Sequence, residues 1–107
     1  MTPSEFNLLV DATLAQIEQA IEANDSDIDF EMTAGILELE FVNGSKIIIN
    51  RQSATQELWV AAKSGGFHYI WKDNAWRNTR DGSELFASLS RYVSEQAGEK
   101  VELERGA

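Results

Sequence analysis

Residues 34–50 read AGILELEFVNGSKIIIN. Leu37, Leu39 and Phe41 alternate with Glu38 and Glu40, the period of two that lets an extended chain bury one face and wet the other. Asn43-Gly44 then marks a hairpin turn, and KIIIN returns as the next strand. Two strands joined so tightly must pair antiparallel, because parallel pairing needs a long crossover.

The same period extends in both directions. Upstream, Asp27–Met32 alternates strictly, so Ile28, Phe30 and Met32 are expected inward while Asp27, Asp29 and Glu31 point the other way. Downstream, ELWVAAK sets Leu58, Val60 and Ala62 against Glu57, Trp59 and Ala61. Gly65-Gly66 reads as a further turn, and FHYIWK and AWRN follow, separated by a turn at Asp73-Asn74. Both flanks switch to helical period. Phe6, Leu9, Val10, Leu14, Ile17 and Ile21 define a stripe over Ser4–Ala23, with Ser4 as the cap and Pro3 just before it. A second helix is expected from near Asp81, where DGSE has the spacing of a capping box between Asp81 and Glu84. Leu85, Phe86, Leu89, Tyr92, Val93 and Gln96 keep its period, and Gly98 stops it. Val101 and Leu103 in the tail are placed to lie back over the core. Two amphipathic helices and a meander of five or six short strands predict an α+β fold. It is a two-layer α/β sandwich, both helices on one face of an antiparallel sheet and the other face open to solvent. Residues 1–107 are read as a single domain.

A hydrophobic content of 43% with ten aromatic residues is that of a folded globule. The absence of cysteine removes disulfides, thiolate catalysis and zinc–thiolate sites, and fits a reducing compartment. The opening MTPSEFNLLVDAT lacks the basic start of a secretory signal, and no apolar run approaches membrane-spanning length, so a cytoplasmic location away from membranes is expected. The net charge of −9 is carried wholly by residues 1–50, which hold ten acids and one base (Lys46); residues 51–107 hold eight of each. Such a field repels nucleic acid and anionic lipid and attracts cations or basic protein surfaces. Lys63, Lys72, Arg77 and Arg80 are spread without a groove pattern, which also argues against nucleic acid.

Carboxylates suit hard, oxygen-seeking cations. Yet residues two apart on a strand lie ~6.6–6.8 Å apart, so Asp27, Asp29 and Glu31 form a row and not a cage. A calcium-loop reading fails, because Phe30 stands where the turn glycine belongs and Ile36 where the closing glutamate belongs. The expectation is weak, exchangeable, water-rich cation binding. Glu18 and Glu22 stack in one line on the first helix. Trp59 falls on the open sheet face near Asn50, Arg51 and Gln52, and an exposed tryptophan beside arginine suggests a protein contact. His68 is the sole histidine; packing or a hydrogen bond accounts for it more readily than ligation of a haem or metal. With no paired nucleophile and base and no phosphate-cradling glycine loop, the chain is read as a non-enzyme.

SEF near the start, DSDIDFE at 25–31, NGSKIIINRQ at 43–52, LWVAAKSGGFHY at 58–69 and the closing helix together resemble the bacterial frataxin family of the CyaY type, over essentially the whole chain. The resemblance implies a helix–sheet–helix sandwich and weak iron binding on an acidic ridge, with no tightly bound cofactor. The matching ridge positions are Glu18, Glu22, Asp25, Asp27, Asp29 and Glu31. The resemblance also implies that Asn50, Arg51, Gln52 and Trp59 face the partners, a cysteine desulfurase and the iron–sulfur scaffold protein. The implied role is an adaptor or regulator of iron–sulfur cluster assembly, with an iron chaperone or store as the alternative. A monomer is implied, iron-dependent oligomers being the other option. Gln19 and Ala23 stand where the best-studied relatives carry acids, and the helix-to-strand connection is shorter, so the ridge is thinner here.

Overall fold

The computed structural model describes residues 1–24 and 27–105. Helix α1 spans Pro3–Ala23 and opens on a capping box whose cap lies two residues earlier than expected. Thr2, not Ser4, is the cap: its hydroxyl accepts from the Glu5 N–H at 3.1 Å, and the Glu5 carboxylate accepts from the Thr2 N–H at 2.8 Å. Those bonds from Thr2, the backbone one foremost, hold the Glu5 carboxyl below the usual carboxylate range. Pro3 occupies the first helical turn, where its missing N–H leaves no bond unmade.

Six strands follow: β1 Asp29–Thr33, β2 Ile36–Glu40, β3 Lys46–Gln52, β4 Glu57–Ala62, β5 Gly65–Lys72 and β6 Ala75–Asn78. They form one antiparallel sheet in sequence order, so each strand lies beside its chain neighbours and β1 and β6 are the edges. The two-residue turns Ala34-Gly35 and Asp73-Asn74 have positive φ at both positions, the geometry that matches strand twist. Gly44, at φ 84°, donates to the Phe41 carbonyl and closes the β2–β3 hairpin. The β4–β5 turn differs from expectation. Ala62 pairs with Gly65, so Lys63-Ser64 makes the turn and both glycines open β5.

Helix α2 spans Leu85–Ala97 and is capped by Glu84, whose carboxylate accepts from the N–H groups of Phe86 (2.7 Å) and Ala87 (3.2 Å). Asp81, the expected cap, instead accepts from the Ser83 N–H and hydroxyl, and builds the turn leading into the helix. Gly98 ends the helix in the left-handed conformation, as expected.

Both helices pack on one face of the sheet. Leu37, Leu39, Ile47, Ile49, Leu58, Val60 and Tyr69 project from the strands into a single core with Phe6, Leu14, Ile17, Leu89 and Val93. Phe6 meets Trp76 edge to face at 6.3 Å, and Tyr92 of α2 stacks on Phe67 of β5. The Tyr69 and Tyr92 hydroxyls share a buried bond of 3.1 Å, and burial pushes the Tyr69 phenol well above its ordinary pKa. Gln96 is buried and ties two hairpins to α2: its carbonyl accepts from the Lys63 N–H, and its amide donates to the Ser45 hydroxyl and the Lys46 carbonyl. The tail returns along α2, the N–H groups of Val101 and Leu103 donating to the hydroxyls of Ser94 and Ser90, and both apolar side chains are buried. Met32 departs from its expected inward place: it lies on the helix side of β1 but is 39% exposed. Burial falls from Ile28 through Phe30 to Met32, so only one end of this edge strand is roofed.

Candidate functional site

The register of the sheet turns one row of acids into two. Asp29 stands opposite Glu40 and Glu31 opposite Glu38, so four carboxylates of β1 and β2 meet across the open face. Directly opposed side chains on neighbouring strands have Cβ atoms ~4.5–5.5 Å apart. Lys46, opposite Glu40 on β3, reaches Glu38 at 3.3 Å and is the single base in the patch. The carboxylates offer hard oxygen donors to a hydrated cation. Among the described residues, however, no three His, Cys, Asp or Glu side chains converge closely enough to hold a metal ion.

Next to this corner the open face becomes apolar and aromatic. Asn50, Trp59 and His68 stand in one row across β3, β4 and β5. The Trp59 indole stacks on the His68 imidazole with centroids 4.4 Å apart and planes 8° from parallel. Its N–H donates to Glu57 Oε1 at 2.7 Å, and His68 Nδ1 lies 3.6 Å from the same oxygen. Trp59 is therefore held as a fixed platform, half-buried, with Asn50 directly opposite it on β3 and Ile48 diagonal to it.

A family model for the frataxin-like domain matches residues 1–99. The chain belongs to the frataxin-like family. It is 52% identical over 104 residues to the iron-sulfur cluster assembly protein CyaY of Dechloromonas aromatica, covering 96% of this chain and 99% of that one. Its identity to the protein of the same name from Herminiimonas arsenicoxydans is 56%, with 96% of each chain covered. Among solved structures, frataxin from Psychromonas ingrahamii superposes with a TM-score of 0.90 at 36% identity, covering 95% of this chain and 97% of that one. Trimeric frataxin from Saccharomyces cerevisiae, complexed with ferrous iron, superposes with a TM-score of 0.69 at 26% identity, covering 89% and 87%. The two-layer architecture expected from the sequence is thus that of a frataxin.

In this frataxin-like chain no three of the five described ridge positions converge on a metal site. Asp29 and Glu31 join the sheet patch, Asp27 is exposed just before β1, and Glu18 and Glu22 lie on α1, half-buried and exposed respectively. Asp25 lies outside the described residues. Glu38 and Glu40 complete the patch and were missed as site residues; their alternation with Leu37 and Leu39 was the signal that could have found them.

The expected constellation of Asn50, Arg51, Gln52 and Trp59 needs one correction. Asn50 and Gln52 share the open face with Trp59, but Arg51 points to the helix layer, on the same side of β3 as Ile47 and Ile49. Strand alternation requires this. The Arg51 guanidinium donates to Asn7 Oδ1 at 2.9 Å and pairs with Asp11, both on α1, while its buried Nε has no hydrogen-bond partner among the described residues. Its chain passes so close to Gly35 that a Cβ there would meet Nε at 3.3 Å, at a φ of 78° that already favours glycine. Arg51 thus anchors helix to sheet. As for localisation, no helix among the described residues is long and apolar enough to cross a membrane.

Proposed function

We propose that this chain is a non-enzymatic, iron-binding adaptor of iron–sulfur cluster assembly, docking on a cysteine desulfurase and its scaffold through the acidic patch and the open sheet face around Trp59. The observation that carries this reading is the pairing of Asp29 with Glu40 and Glu31 with Glu38 on an exposed surface. Like charges directly opposed weaken a sheet, so four of them together are better explained by something they bind than by solubility. Open carboxylate rows favour weak, exchangeable iron over a closed metal centre. The relatives named as cluster assembly proteins support the pathway, and the yeast frataxin complexed with ferrous iron supports the iron binding.

The test is a pair of amide NMR titrations, one with Fe²⁺ under anaerobic conditions and one with the desulfurase. Overlapping footprints on residues 27–40, with desulfurase affinity falling as salt rises, are expected. Absence of desulfurase binding at low salt would refute the docking half. An iron chaperone or store is the second reading, favoured by the trimeric state of the ferrous yeast relative. It predicts iron-dependent oligomers, and loss of iron delivery with desulfurase binding intact after neutralisation of Asp27, Asp29 and Glu31.

A further inference from the structure

The open face is charged at both ends, with opposite signs. At the far end from the acidic patch, Lys72 of β5 and Arg77 of β6 flank Ile70, which stands directly opposite Arg77. These three, with Thr79, Gly82 and Asp73, line an open groove of about 480 Å³. Among the described residues, neither Lys72 nor Arg77 has a carboxylate oxygen within 4.0 Å. At the acidic end, by contrast, the one base, Lys46, is held in an ion pair with Glu38. A chain of net charge −9 therefore leaves two cations uncommitted beside an apolar side chain on its binding face.

We propose that this basic groove receives an acidic, Asp- or Glu-containing segment of the same partner that meets the acidic patch, fixing the partner's orientation across the sheet. The inference rests on the docking reading above. Strand spacing places β2 and β6 ~19 Å apart, at ~4.8 Å per strand. That exceeds twice the ~8 Å screening length at physiological salt, so each end must find its own complement. A standard interface of about 800 Å² per side is roughly 28 Å across, and one centred near Trp59 reaches Glu38 at one end and Arg77 at the other. Arg77 beside Ile70 offers a planar fork next to an apolar floor, an arrangement suited to bidentate carboxylate pairing. A purely basic partner surface would match the acidic patch but press against Lys72 and Arg77. A bipolar partner satisfies both ends and can bind in one direction only.

The variant K72E/R77E tests this by calorimetry against the desulfurase and, separately, the scaffold, with thermal unfolding and Fe²⁺ binding as controls for fold and for the acidic patch. The expected result is a loss of affinity of about tenfold or more for at least one partner, with both controls unchanged. If the wild-type chain binds and the variant binds both partners within twofold of it, the inference is overturned. If the wild-type chain binds neither partner, it is the docking reading that fails. A second measurement then decides the groove by itself: titration of the wild-type chain with a hexaglutamate peptide, followed by amide NMR. Shifts gathered on residues 70–79 support an acidic-segment groove, and shifts absent or spread over the whole sheet refute it.

Discussion

Neutralising the β1 acids should make the protein more stable and a poorer iron binder at once. In the double substitution Asp29→Asn and Glu31→Gln, each new side chain is nearly isosteric, and neither original acid has a basic partner among the described residues. What is removed is the repulsion of Asp29 by Glu40 and of Glu31 by Glu38. Two unit charges about 6 Å apart in water repel by roughly 0.7 kcal/mol, so two pairs give about 1.4 kcal/mol at low salt. At 0.15 M salt the screening factor over that distance roughly halves the sum. With about 4 °C of melting temperature per kcal/mol for a chain of this size, the expected rise is ~6 °C at low salt, shrinking to ~3 °C at physiological salt. Thermal unfolding of both proteins at two salt concentrations, beside an Fe²⁺ titration, measures both effects. A variant that melts at or below the wild-type temperature at low salt would refute the idea that these carboxylates are retained against stability. Unchanged iron binding would refute their role as donors.

Further outcomes follow from the same contacts. Arg51→Met removes the bonds to Asn7 and Asp11 and should lower unfolding free energy by about 1–3 kcal/mol in urea, while partner affinity changes little. Trp59→Ala should do the reverse, losing about 1 kcal/mol of stability with the His68 stack but weakening partner binding by tenfold or more. Because the folded chain keeps the Tyr69 proton beyond the ordinary phenol value of 10.0, the native state binds more protons than the unfolded one above that pH. Stability should therefore be insensitive to Tyr69 below pH 10 and fall as pH rises past it. Urea unfolding at pH 9 and pH 11 should show a larger loss for the wild type than for Tyr69→Phe. Replacing Gln96 by Ala leaves the Lys63 N–H and the Lys46 carbonyl without that side chain's bonds, and should cost about 2–4 kcal/mol by the same assay.

The alternation of Leu37, Leu39 and Phe41 and the helical stripes carried most of the fold, because burial against one layer forces both periods. The cap at Thr2 was hidden because Ser4 is an equally good capping residue, and only the reciprocal Glu5 bond separates the two. Gly65-Gly66 looked like a turn because glycine commonly marks one, yet the pairing of Ala62 with Gly65 places the bend two residues earlier. The site was half legible. Asp29 and Glu31 could be read as a row from their spacing, but Glu38 and Glu40 joined them only through the pairing register, which is a property of two strands together. Arg51 was grouped with its chain neighbours Asn50 and Gln52, although the period of two already sends it to the opposite face.

A helix layer on one side only has a consequence for how such a surface can change over generations. Each strand from β2 to β5 speaks to the core through one set of alternate residues and to the solvent through the other. Ile36, Glu38, Ile48, Asn50, Trp59 and His68 stand in cross-strand pairs on the wet side, while the positions between them fill the interior. A replacement on the wet side leaves the packing beneath it unaltered, so affinity and partner preference can drift while the scaffold stays as it is. Arg51 is the converse case: it reaches through to the helices, so a change there alters the scaffold and leaves the wet side chains in place.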